Sequence, residues 1–104
     1  MTTEKEIEQE LQAKNLNAPR LTPALIDATI VSEASYVFPG TQTTVVLLTL
    51  TNGFTVLGES ACASPKNFDI ELGVKLAKDN ARNKIWKLEG YLLKQKLFEA
   101  NLGA

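Results

Sequence analysis

The stretch TTVVLLTLTNGFTVLG, residues 43–58, decides the fold. Its first half is a β-branched and leucine-rich run, and its second half, after Asn52-Gly53, is another. Asn-Gly between two such runs is the strongest short-range hairpin signal, because both residues tolerate the left-handed backbone of a two-residue type I′ turn. The segment therefore predicts two antiparallel strands joined by a tight turn. On the first of them Val45, Leu47 and Thr49 fall on one face, and Val46, Leu48 and Leu50 on the other. Only Thr49 interrupts the apolar run from Val45 to Leu50, so both faces are expected to be buried over most of their length.

Working outward on the N-terminal side, residues 29–38 (TIVSEASYVF) are rich in β-branched and aromatic residues, and Pro39-Gly40 ends them with a turn. That completes a three-stranded antiparallel meander. Further back, Thr22-Pro23 is a helix start, with Thr as N-cap and Pro at the first helical position, and a short helix is expected to about Ala28. Residues 15–19 read as a linker. Residues 3–14 read as a thin amphipathic helix, with Ile7 and Leu11 on one side and glutamates in the first turn. One apolar pair makes a marginal helix, so residues 1–18 are expected to dock loosely on a single domain spanning 1–104.

On the C-terminal side, residues 59–67 are small and polar and read as a loop. A long helix follows, capped by Ser64 or Asn67, with Asp69 and Glu71 in its first turn. Ile70, Val74, Ala77, Ala81, Ile85, Leu88 and Leu92 recur at spacings of three and four, a continuous apolar stripe. Gly90 is a candidate bend or break near the end of this helix. Trp86, Leu93 and Leu97 lie off the stripe. They mark either a subunit interface or a surface covered by the short N-terminal helices. The order of elements gives an α+β fold: short N-terminal helices, a three-stranded antiparallel meander, and a long C-terminal helix packed on one face of it.

Composition narrows the chemistry. The 104 residues are 44% hydrophobic and 22% charged, ordinary for one globular domain. There is no histidine, so the commonest general base and transition-metal ligand is missing, and one cysteine, Cys62, permits no internal disulfide. No phosphate-cradling glycine loop, nucleophile elbow or metal-ligand spacing occurs. No enzyme, cofactor or metal is expected. The formal net charge is −1, with Lys and Arg concentrated beyond residue 60. Acidic residues interrupt that basic half, which argues against nucleic acid as the partner. The acidic opening MTTEKEIEQE is unlike a secretion signal, and no apolar run is long enough for a bilayer, so a cytoplasmic protein is expected.

Two segments carry a resemblance: NGFTVLGESACASPKNFD at 52–69 and NARNKIWKLEGY at 80–91. Together they resemble a widespread family of small tailed-phage proteins, over roughly residues 20–98. Members of that family include the first type of Thoeris anti-defence protein. The resemblance implies a sponge that binds cyclic ADP-ribose isomers, and in some members cyclic oligonucleotides, and holds them uncleaved in the infected host cell. It also implies a homo-oligomer, a dimer or a hexamer built from dimers, with ligand pockets between subunits. On that reading Phe68 is expected to stack on a base and Asn83 to hydrogen-bond ribose or base. Arg82, Lys84 and Lys94 are candidates for phosphate, and Ser60, Trp86 and Tyr91 for the lining. The alternative is a small phage interaction protein that binds and inhibits a host protein through the apolar strip at Trp86, Leu93 and Leu97.

Overall fold

A computed structural model describes residues 3–15 and 18–102. Helix α1 spans Glu4–Ala13 and α2 spans Pro23–Thr29; strands β1 (Ile30–Val37), β2 (Thr43–Leu50) and β3 (Thr55–Ala61) follow, then a 3₁₀ turn at Pro65–Asn67 and helix α3 at Ile70–Leu102. The strands pair antiparallel in the order β1-β2-β3, and α3 lies across β2 and β3 on one face. This is the expected α+β arrangement. Part of the expected linker, residues 16 and 17, lies outside the described residues.

The caps show why the helices begin where they do. Thr3 and Thr22 each accept a hydrogen bond from the amide three residues on, and Pro23 follows its cap at the first helical position. Helix α3 differs from expectation. Its cap is Asp69, whose Oδ1 accepts from Leu72 N–H at 3.2 Å and whose carbonyl accepts from Gly73 N–H at 2.8 Å. Ser64 instead caps the 3₁₀ turn before it. A carboxylate suits the positive end of a long helix dipole better than a hydroxyl or amide does. Gly90 does not divide α3, which runs unbroken to Leu102.

The β2–β3 connection also differs from the expected type I′ turn. Gly53 N–H donates to Leu50 O (2.9 Å), Leu50 N–H donates to Phe54 O (2.8 Å), and Gly53 has φ 88°, while Asn52 keeps a negative φ. This is a three-residue loop with glycine alone in the left-handed region. Asn52 serves it through its side chain, accepting from Phe54 N–H at 3.0 Å. The extra loop residue sets the register Val46↔Gly58 and Leu48↔Val56. A two-residue loop would have slipped β3 by one and turned Leu57 and Glu59 toward the helix.

That register lets α3 approach closely. A Cβ built on Gly58 would lie 2.0 Å from Ala77 O and 2.5 Å from Ala81 N, so helix backbone occupies the space a side chain would need. The core is Ile26, Val46, Leu48, Leu50, Val56, Ala77, Ala81 and Ile85, with Leu21, Ile30, Val74 and Trp86 packed against it. The expectation of two buried β2 faces is overturned. Thr44, Val46, Leu48 and Leu50 are buried, but Val45 and Thr49 are only half-buried and Leu47 is exposed. Among the described residues the helices cover one face of the sheet, and a three-stranded sheet with one layer of helix has only one face to bury.

The molecule is long. Its radius of gyration is 16.9 Å, against about 13 Å for a compact domain of this length. Helix α3 has 33 residues, roughly 50 Å of helix, whereas an eight-residue strand spans roughly 27 Å. The helix therefore overhangs the sheet. Leu88, Tyr91, Leu92, Leu97 and Phe98 are all exposed.

Candidate functional site

The two motif segments meet in space, and their contacts separate scaffold from candidate. Segment 52–69 is β3 with the turn into α3, and segment 80–91 is the middle of α3. Asn80 Oδ1 accepts from Glu59 N–H at 3.1 Å, and Lys84 Nζ donates to Leu57 O at 2.6 Å. Both bonds satisfy outward groups of an edge strand, which otherwise invites another strand to pair. Ser60 Oγ donates to Gly73 O at 2.7 Å. Gly58, Asn80, Ala81, Lys84 and Ile85 thus hold β3 to α3.

The sequence-predicted residues fall into separate places. Ser60 and Phe68 share a cleft of about 190 Å³ at the base of α3, with Gln42, Cys62, Asp69, Leu72, Gly73 and Leu76 in its wall. Phe68 is half-buried there, and Cys62 Sγ donates to Ser64 O at 3.2 Å. Ligand pockets commonly hold about 300–1,000 Å³, so this cleft alone takes a ring or a single phosphate group and not a whole dinucleotide. Thr44, beside it in the core, has a fully buried hydroxyl with no hydrogen-bond partner among the described residues, lodged against Gly73.

Asn83 and Trp86 line a second cleft, about 350 Å³, between α3 and the N-terminal helices; Glu4, Ile7, Glu8, Leu11, Leu21 and Pro23 form the rest of its wall. Arg82 borders the same helices. It is 9% exposed, and its guanidinium is taken on one side by Asp27 of α2 and on the other by Glu4 of α1, with Nη2 at 2.5 Å from Glu4 Oε2. Burial disfavours the charge, but the hydrogen bonds and charge of Glu4, and then Asp27, outweigh it and raise the pKa of Arg82. Arg82 therefore has carboxylates where a phosphate was expected, and joins α1 and α2 to α3.

Tyr91, 72% exposed, and Lys94, also exposed, stand on the overhanging part of α3. Gly73 and Tyr91 are 18 residues apart, roughly 27 Å along the axis. One chain cannot bring Tyr91 and Phe68 to the same ligand.

Sequence reasoning missed Arg20 and the walls contributed by Gln42 and Leu76. Arg20 forks onto Glu8, with Nη2 at 2.8 Å from Oε2, and its hydrogen bond is the main reason the Glu8 carboxyl falls to about 2. Arg20 precedes α2 and Glu8 lies in α1, so no spacing in the sequence announces the pair.

Compared with known proteins, the model of a phage protein (N4 Gp49/phage Sf6 gene 66) family matches residues 21–97. That range takes in α2, the sheet, both clefts' α3 walls and most of the overhang, and leaves out α1. No curated protein and no solved structure matches the chain.

Proposed function

Since the chain belongs to the phage protein (N4 Gp49/phage Sf6 gene 66) family, we propose that it is an anti-defence sponge, which binds a cyclic nucleotide immune signal in the host cytoplasm and holds it uncleaved. Cyclic ADP-ribose isomers are the first ligands to consider, and cyclic oligonucleotides the second. The observation that carries this reading is the meeting of the two motif segments beside a cleft walled by Phe68, Ser60 and the start of α3. A flat ring suits Phe68. A histidine-free chain suits binding without turnover.

The reading includes a second copy of the chain. The cleft at Phe68 is smaller than a cyclic dinucleotide, and Tyr91 and Lys94 are too far away to complete it within one chain. The accessible surface, 7595 Å², exceeds the about 5,800 Å² usual for a monomer of 11.4 kDa. The excess is roughly twice the about 800 Å² that one partner buries in a standard interface. A partner's overhang laid against the Phe68 cleft would supply the missing ring and cation. No described helix is long and apolar enough to cross a membrane.

The test is to incubate the protein with a TIR-derived cyclic ADP-ribose isomer, remove free ligand by filtration, and heat the retained protein. Depletion followed by recovery of intact ligand supports the sponge. Recovery of a cleaved product would make the protein an enzyme. No depletion with either ligand class would sink the reading.

A second reading is favoured by one observation. Leu97, the exposed member of the strip with Trp86 and Leu93, stands on the overhang beside exposed Phe98, and apolar side chains there also suit capture of a host protein. That partner would bind at full strength to a Phe68→Ala variant, whereas a nucleotide held by Phe68 would not.

A further inference from the structure

We propose that α1 is a releasable acidic strap over an anion-binding cleft, with its Glu4 and Glu8 lying on Arg82 and Arg20 where the phosphate groups of a polyphosphate ligand would lie. The strap is read from α1, outside residues 21–97, and holds whichever ligand the Phe68 cleft takes.

The attachment of α1 is unlike that of any other element. None of its residues is buried. Its apolar side chains Ile7 and Leu11 roof an open cleft of about 350 Å³ instead of filling a core. What fastens it is charge. Glu4 accepts from Arg82 Nε at 3.3 Å and from Nη2 at 3.0 and 2.5 Å, and Glu8 accepts from both terminal nitrogens of Arg20. Two forked guanidinium–carboxylate pairs are the arrangement by which arginine also grips phosphate.

A ten-residue helix is marginal without packing. Partly exposed ion pairs are weak and are screened by salt. Opening of α1 is therefore among the least costly motions available to the fold. When α1 lifts, Asp27 stays on Arg82 Nη1 and fixes the guanidinium, leaving the Nε–Nη2 edge to an incoming anion. Glu4 and Glu8 are four residues apart, about 6 Å between their Cβ atoms. That separation suits a chain of two or three phosphates better than a single one. Trp86 in the cleft wall offers a ring face beside it.

Trp86 is the one tryptophan of the chain, so its fluorescence reports the cleft directly. The experiment compares the native chain with a Glu4→Gln/Glu8→Gln variant, which keeps side-chain size and removes both charges. Circular dichroism checks that the variant is folded. At low salt the variant is expected to show red-shifted emission and stronger acrylamide quenching, and the native chain to reach the same values near 1 M salt. Inorganic tripolyphosphate, titrated at low salt, should bind the variant about tenfold more tightly, since the strap no longer depletes the open form. A further Arg20→Gln change should abolish that gain. Equal quenching in native and variant proteins at low salt would overturn the strap. Stronger quenching without tighter tripolyphosphate binding would overturn the anion site.

Discussion

The two halves of α3 carry one apolar stripe and do opposite things with it. From Val74 to Ile85 the helix lies on β2 and β3, alanines stand at its closest approach, and Ala77, Ala81 and Ile85 are fully buried. From Leu88 onward the stripe continues through Leu92, and both leucines are exposed, as are Leu97 and Phe98 off the stripe. Small residues let backbone approach backbone, as at Gly58, and convert the stripe into a core. Leu88 reaches only the open edge of the sheet beside Phe54, Val56 and Leu57, and Leu92 only a shallow cleft against Leu21 and Leu25, so neither is enclosed. The difference is one of length: the stripe is a property of the helix, whereas its burial is a property of the shorter sheet.

The largest effect expected from this contrast is at Gly58. Gly58→Val must push α3 away from β3, because the obstacle is the backbone of Ala77 and Ala81. A loss of about 3 kcal/mol or more is expected in urea unfolding, at the upper end of overpacking costs. A loss below about 1 kcal/mol would mean that the helix does not lie as close in solution.

Next comes Arg82→Met, which tests whether the N-terminal helices depend on the sheet-bound half of α3. It leaves Glu4 and Asp27 without their shared cation. Their side chains are 36% and 67% exposed, so water takes over much of the role and full burial costs do not apply. A loss of about 1–2 kcal/mol is expected, with faster amide exchange in α1. Unchanged exchange in α1 would show that Arg82 does not hold it.

Leu92→Asp probes the other half. Because Leu92 overhangs the sheet and is half-exposed beside Leu21 and Leu25, the subunit's own stability should change by about 1 kcal/mol or less. If a second copy covers the overhang, sedimentation should show a smaller assembly than the native chain forms. A loss of folding as large as that at Gly58 would break the comparison, since it would place Leu92 in a core.

Much of this was legible in residues 20–97. Periodicity gave α3, β-branched runs gave the strands, and Thr22-Pro23 gave the start of α2. What was not legible depends on distance in space or on one-residue choices. The loop at Asn52-Gly53 has two common solutions, and only the packing of Gly58 under α3 selects the three-residue one. The second face of β2 looked buried because leucine and valine read alike whether their cover is present in the chain or absent from it. Arg82 looked like a phosphate ligand because its two carboxylates, Glu4 and Asp27, lie 78 and 55 residues away. The structure divides the candidate residues among two clefts and an overhang, a division no local pattern encodes.

The smallest expected effect lies where α1 approaches the overhang. Arg20 lies beside Leu92 and Leu93 as well as on Glu8. The Glu8 carboxyl is held down to about 2 from an ordinary value of 4.5, first by the Arg20 hydrogen bond and then by that of Gln12. Because the folded value is depressed, the contribution of Glu8 is complete above about pH 4.5 and is lost as pH falls toward 2. A carbon-detected NMR titration should therefore show Glu8 unchanged from pH 7 to 5 and titrating near 2. In Arg20→Gln its midpoint should rise toward 4.5. A native midpoint already near 4.5 would mean that the pair is open in solution, and α1 would then be tied to the sheet-bound half through Arg82 alone.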